Sequence, residues 1–261
     1  MPILNRRFTL SLLLLMGSSS VFAQTWVVVA RSSEIAQFID IDSIRKEGER
    51  VLSWVLTDQL NPMKSAGAYK SQVSLRVFDC KTGESAIRSY ALYSGHVQSG
   101  DVLDSGNFKG KEQFAESPPG TIGRSLTKAA CAWSARAARP ADFDVLLVAD
   151  ETALRTLDGD VTANEDGTIS AWATISLYTT ANGAPEVLCR HVAYDVDCKR
   201  GLLKEDGSAS TYADRGCGGK RSKDLTVVGG DWHKPSTWQG NLVAKACERA
   251  PKSLSAKPTK K

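Results

Sequence analysis

The chain writes the same cysteine turn twice, as DCKTG at 79–83 and again as DCKRG at 197–201. The shift of 118 residues that superimposes the two also carries Trp54 onto Trp172 and Phe114 onto Trp232. A recurrence spread over separated positions reads as an internal duplication. The chain is therefore expected to fold as two related modules in tandem.

The ends must be set aside before the repeat is used. Residues 1–23 begin with Arg6 and Arg7, continue through the apolar run Phe8 to Met16, and finish with Val21 and Ala23 at the positions a signal peptidase reads. That pattern predicts an export signal with Gln24 as the mature N-terminus. A twin-arginine route fits the residues after Arg7 less well. The apolar run is too short to remain as a spanning helix, so no transmembrane helix is expected after cleavage. No cysteine follows the cleavage point, so no lipoprotein anchor is expected either. The charge distribution changes with this reading. Removing Arg6 and Arg7 takes the formal +4 to +2, and setting aside Lys252, Lys257, Lys260 and Lys261 of the tail leaves about −2. A folded part without a basic face interleaved with aromatics gives no footprint for nucleic acid.

Six cysteines in an exported chain read first as disulfides, because the compartment is oxidising. The repeat selects among the possible pairings. Cys80 and Cys131 are 51 residues apart, Cys198 and Cys247 are 49 apart, and each pair joins a DCK cysteine to a later KAAC or KAC cysteine. We assign Cys80 to Cys131 and Cys198 to Cys247. The remaining Cys189 and Cys217 stand where the first copy has Ser71 and Ser99, and form an extra bridge in the second copy. Strand-like segments 187–197 and 208–216, flanking the turn-rich KRGLLKEDG, predict a hairpin centred near 203 that sets these two cysteines opposite each other.

Each copy is otherwise rich in β-branched and aromatic runs between Gly, Asp and Ser breaks, and each closes with a Pro-led helical segment. Ile122, Leu126, Ala130 and Trp133 in one, and Trp238, Leu242 and Ala246 in the other, recur at helical spacing and need a sheet to bury against. The predicted fold class is α+β: two tandem modules, each an antiparallel β-sheet with a C-terminal helix tethered by a disulfide. The expected boundaries are a signal at 1–23, a first module at 24–133, a link at 134–142, a divergent second repeat at 143–249 and a basic, disordered tail at 250–261. A module of this size has a modest core. A bridge closing a loop of about 50 residues adds roughly 3 to 4 kcal/mol by restricting the unfolded chain.

The first copy also carries, in order, Trp26, FIDIDSI at 38–44, Trp54, YKS at 69–71, FDC at 78–80, YSG at 93–95, PPGT at 118–121 and AC at 130–131. In that order and spacing it resembles the surface-adhesin protein E family of exported bacterial proteins. The second copy keeps the tryptophan, DCK and the final cysteine but has only RTLDGDV at 155–161 in place of IDIDSI. The resemblance implies a small antiparallel sheet with a disulfide-tied C-terminal helix, and adhesion to host extracellular-matrix proteins through surface segments that carry no catalytic signature. It transfers no binding residue.

Catalytic and metal-binding readings are weaker. SLTK at 125–128, SGN at 105–107 and KTG at 81–83 echo the three elements of serine penicillin-binding enzymes, but in reversed order and within one small repeat. His96, His191 and His233 have no acidic partner at motif spacing and are expected at the surface or at strand edges. A zinc set of Cys189, His191, Cys198 and Cys217 competes with the disulfide assignment and loses to it, because Cys198 already has a repeat-based partner. Trp54 and Trp172 are expected in the core, and Asp40 and Asp42 on one solvated strand face. The expected protein is a non-enzymatic exported protein without cofactor or metal, acting in the periplasm, at the outer surface or outside the cell by binding a macromolecular partner. A small-ligand or cofactor carrier and a structural envelope protein are the alternatives.

Overall fold

Backbone pairing follows from the alternating patterns. The computed structural model describes residues 24–61, 69–135, 144–149, 152–178, 187–217, 221–226 and 229–250. The expected export signal at 1–23, residues 136–142 of the expected link and residues 251–261 of the expected tail lie outside them. Among the described residues the chain first forms β1 (Trp26–Arg31), β2 (Ile35–Asp40), β3 (Arg45–Glu47), β4 (Arg50–Gln59), β5 (Ser71–Asp79), β6 (Glu84–Tyr93), β7 (Val102–Asn107) and β8 (Ala115–Glu116), then helix α1 (Ile122–Ser134). The second half supplies β9 (Val145–Ala149), β10 (Ala153–Ala163), β11 (Ile169–Leu177), β12 (Cys189–Asp197), β13 (Leu202–Tyr212) and β14 (Arg221–Thr226), then α2 (Thr237–Arg249).

Instead of two separate sheets, the strands make one, in the order β14-β13-β12-β11-β10-β9-β1-β2-β4-β5-β6-β7, with β3 on β4 and β8 on β6. Every pairing is antiparallel. The halves meet where Val27 of β1 pairs with Val145 of β9, and the Val28 N–H donates to the Asp144 carbonyl at 2.8 Å. Edge strands expose unpaired backbone groups, and joining β1 to β9 satisfies part of both edges at once.

Alternation sorts the sheet into two faces. Val27, Ile39, Val51, Val55 and Phe78 pack with Leu126 and Ala130 of α1, and Val145 joins this cluster. Leu147, two residues on and therefore on the same face, packs with Leu242, Val243 and Ala246 of α2, alongside Ile169, Ala171, Val192, Tyr194 and Val196. Both helices thus cover one face. Thr121 caps α1 by accepting the Arg124 N–H at 3.3 Å, and at α2 the Ser236 N–H donates to Gln239 Oε1 at 3.0 Å. The helix-free face has its own core of Trp26, Phe38, Leu56, Leu60 and Val73 with Leu154 and Tyr178, drawn from both halves.

Three local expectations change. Gly201, at φ +64°, closes a tight turn straight after Asp197, so LLKEDG belongs to β13 and the hairpin centre moves toward the N-terminus. Cys189 then pairs with Tyr212, not with Cys217. The IDID run is not all strand. Asp40 ends β2 and caps a 3-10 turn at Ile41–Ser43, where its buried carboxylate accepts the N–H groups of Thr25 and Asp42, both at 3.2 Å, while Asp42 is exposed. Trp54 and Trp172 are half-buried on the helix-free face instead of sealed in the core.

Candidate functional site

The repeated turn is the first device the sequence singles out, and its two copies have the same geometry. Asp79 Oδ1 accepts the N–H groups of Lys81 and Thr82 at 3.0 and 3.1 Å, and Asp197 Oδ1 those of Lys199 and Arg200 at 2.9 and 3.0 Å. Gly83 and Gly201 each donate back to the carbonyl of the same aspartate at 2.8 Å. Both take positive φ, +82° and +64°, which a side chain would strain. The backbone N–H groups of Thr82 and Lys81 hold the Asp79 carboxyl below the usual carboxylate range. At Asp197 burial pushes upward, but bonds from the Arg200 backbone and guanidinium outweigh it and the carboxyl is also lowered. The cysteine inside each turn projects toward a helix: Cys80 is bonded to Cys131 of α1 with Cα atoms 5.7 Å apart, and Cys198 to Cys247 of α2 at 5.6 Å. Cys189 is bonded to Cys217, Cα atoms 5.3 Å apart. No longer opposite on a ladder, Cys217 reaches back from the turn after β13 with φ +53°. Cys189, Cys198 and Cys217 are therefore all committed to sulfur, and the described residues hold no group of three or more His, Cys, Asp or Glu placed to bind a metal ion.

The joint between the halves holds polar groups that sequence spacing did not indicate. Asp58, at the end of β4, has a fully buried side chain. Its carboxylate accepts the Tyr178 hydroxyl at 2.7 Å and the Val97 N–H at 2.9 Å, with His96 Nδ1 3.3 Å from both oxygens. His96, expected near the surface, is 5 % exposed and stacks on the Tyr178 ring with centroids 3.4 Å apart. One buried carboxylate from the first half is thus closed by a tyrosine from the second. Arg31 crosses the joint as well, donating to Thr156 Oγ1 at 2.9 Å and Ser176 Oγ at 3.5 Å. Arg215 donates to the carbonyls of Leu177 and Tyr178 at 2.8 and 3.2 Å, which holds the segment that presents the Tyr178 ring.

On the same face, His191 Nε2 donates to Asp158 Oδ2 at 2.5 Å, and Thr174 Oγ1 donates to the other carboxylate oxygen at 3.1 Å. The imidazole stacks on Trp172 with centroids 4.5 Å apart. His191 was also expected at a strand edge without an acidic partner; it has one, across 33 residues of sequence. His191 lines, with Arg31, Asp144 and Tyr212, a polar cleft of about 280 Å³. Burial, and secondarily the negative charge of Asp158, lift the Asp144 carboxyl above its ordinary value. Chemically this is a fixed imidazole beside an arginine and a carboxylate, able to hold a small polar group. Ser125 and Lys128 of the SLTK echo are exposed on α1.

Both Asp–His pairs escaped the sequence because the partners are distant in the chain and meet only through the sheet: Asp58 of β4 with His96 in the turn after β6, and Asp158 of β10 with His191 of β12, for which the alternation of polar residues along β11 and β12 was the available signal. Residues 26–132 match the model of the surface-adhesin protein E family. No curated protein sequence matches the chain.

Proposed function

We propose, from the match of residues 26–132 to the surface-adhesin protein E family, that this chain is a non-enzymatic adhesin-like protein of the bacterial envelope or exterior. It binds a macromolecular partner of the extracellular-matrix type. The family match carries the reading, and the architecture supports it. Both helices cover one face of the sheet, and among the described residues no helix covers the other, on which Trp54, Trp172 and His191 are half-buried. The second half is read as a divergent repeat of the first, supported by the matching DCK turns and helix tethers. Export by the N-terminal signal, without a lipid anchor, completes the proposal.

Two modules on one chain would give bivalent contact and so raise avidity without new chemistry. The polar cleft at the joint favours a second reading, a carrier of a small polar ligand. The deciding measurement is solid-phase binding of the mature protein, oxidised and reduced, to immobilised matrix proteins, with fractionation of the producing cells. Saturable binding that is lost on reduction, by a protein found at the surface or in the medium, supports the adhesin-like reading. A strictly periplasmic protein that binds none of them and is purified with a small ligand overturns it in favour of the carrier.

A further inference from the structure

We propose that the helix-free face of the first half carries a preformed subsite for one neutral sugar ring, built on Trp54 and Tyr93. This deepens the partner-binding reading and rests on it, by naming a glycan as the feature recognised. Trp54 of β4 and Tyr93 of β6 lie on the same face and border a cleft of about 220 Å³ together with Ser89 and Gln98. No described side chain lining this cleft is charged, and Gln24, the expected mature N-terminus, borders it as well.

The lining has unused hydrogen-bonding capacity. The Trp54 indole N–H, the Tyr93 and Ser89 hydroxyls and the Gln98 amide have no hydrogen-bond partner among the described residues, although none is sealed from solvent. An aromatic plane with neutral donors and acceptors around it matches a pyranose, whose C–H face stacks on a ring while its hydroxyls need partners. The volume lies below the roughly 300–1,000 Å³ of pockets for drug-sized ligands, which suits a single ring. A proline-rich segment also docks on aromatic side chains, but it needs an extended groove.

The site is also held in shape. Val97 and Gln98 both adopt left-handed backbone, φ +47° and +62°, a conformation that costs free energy at residues other than glycine. Buried groups hold this turn in place. Asp58 accepts the Val97 N–H at 2.9 Å, Ser71 Oγ accepts the Gln98 N–H at 3.0 Å, and the same Ser71 hydroxyl donates to the Gly95 carbonyl at 2.7 Å. Since the Tyr178 hydroxyl completes the Asp58 shell, the second half helps to fix the turn that sets Gln98 at the cleft. Trp54, Tyr93 and Gln98 are the contact residues; Asp58, His96 and Tyr178 position the turn.

The test uses the full mature protein with the methyl glycosides of glucose, galactose, mannose and N-acetylglucosamine, read by saturation-transfer NMR and by tryptophan fluorescence. We expect saturable transfer from at least one of them. Trp54→Ala and Gln98→Gly should each weaken it about tenfold, the effect of losing roughly one ring contact or hydrogen bond. Gln98→Gly accommodates the left-handed backbone without strain, which offsets the entropy cost of a glycine there, and so keeps the test valid if Trp54→Ala is unstable. No transfer from any neutral glycoside, or transfer unchanged in a folded Gln98→Gly variant, overturns the subsite, as does a proline-rich peptide that competes for Trp54 in their place.

Native and enzymatically deglycosylated matrix proteins then separate the sources. Binding lost on deglycosylation places the sugar on a host glycoprotein, whereas binding to a neutral polysaccharide alone places it on free glycan. Binding to deglycosylated protein that survives Trp54→Ala sinks the subsite and leaves the partner-binding reading standing. Glycoside binding without any matrix binding does the reverse.

Discussion

Replacing Tyr178 by Phe removes one oxygen from the joint and leaves the ring that stacks on His96. The loss can be sized from the structure. The Asp58 side chain is fully buried, and the Tyr178 hydroxyl at 2.7 Å is its shortest hydrogen bond. A hydrogen bond to an ionised, buried group contributes about 1.5–3 kcal/mol net, and its removal leaves desolvated carboxylate behind. For a chain of this size each kcal/mol lowers Tm by about 2–4 °C, so Tyr178→Phe should cost roughly 3–12 °C. Tyr93→Phe, whose hydroxyl has no partner among the described residues, is the matched control and should fall within about 0.5 kcal/mol of the parent. Thermal and urea unfolding of both variants supply the comparison. A double-mutant cycle with Asp58→Asn isolates the pair, and we expect the second substitution to cost little once the first is made. Equal stabilities for Tyr178→Phe and Tyr93→Phe would refute the view that the second half closes a buried carboxylate of the first.

Removing Cys198 and Cys247 together as serines frees α2 from its turn; closing 49 residues of unfolded chain contributes about 4 kcal/mol, and calorimetry of the variant against the parent should show a loss of that order in the absence of reductant. The Asp144 carboxyl is raised by burial and by Asp158, so the folded state holds its proton more tightly than the unfolded state does. Its penalty is absent below the ordinary carboxylate pKa, and grows as pH rises through that value to the raised one. Asp144→Asn should therefore match the parent at low pH and gain on it above that window; urea midpoints across pH measure the difference, and a gain confined to acid pH would contradict the assignment.

The sequence by itself determined the covalent frame and the periodic elements. DCKTG and DCKRG are short-range instructions: an aspartate accepting the next backbone N–H groups and a glycine at positive φ make the turn, whatever the rest of the chain does. The apolar stripes of α1 and α2 need only helical spacing to show which side is buried, and the distance from each turn to each helix selects the cysteine partner. The FIDIDSI, FDC and PPGT segments carried the family resemblance because they are local too.

What remained undetermined was set by register between strands distant in sequence. Nothing in the neighbourhood of Asp58, His96 or Tyr178 shows that the three meet, since 120 residues separate the carboxylate from its hydroxyl donor. The same holds for Asp158 with His191, and for Trp54 with Gln98 at one cleft. A one-residue slip would have turned each to the opposite face. The two sets of strands also merge because β1 and β9 both present free edges, a demand that appears only once each sheet exists. Local chemistry built the turns, helices and bridges; tertiary structure alone decided which polar groups were sealed at the joint and which were left open to a ligand.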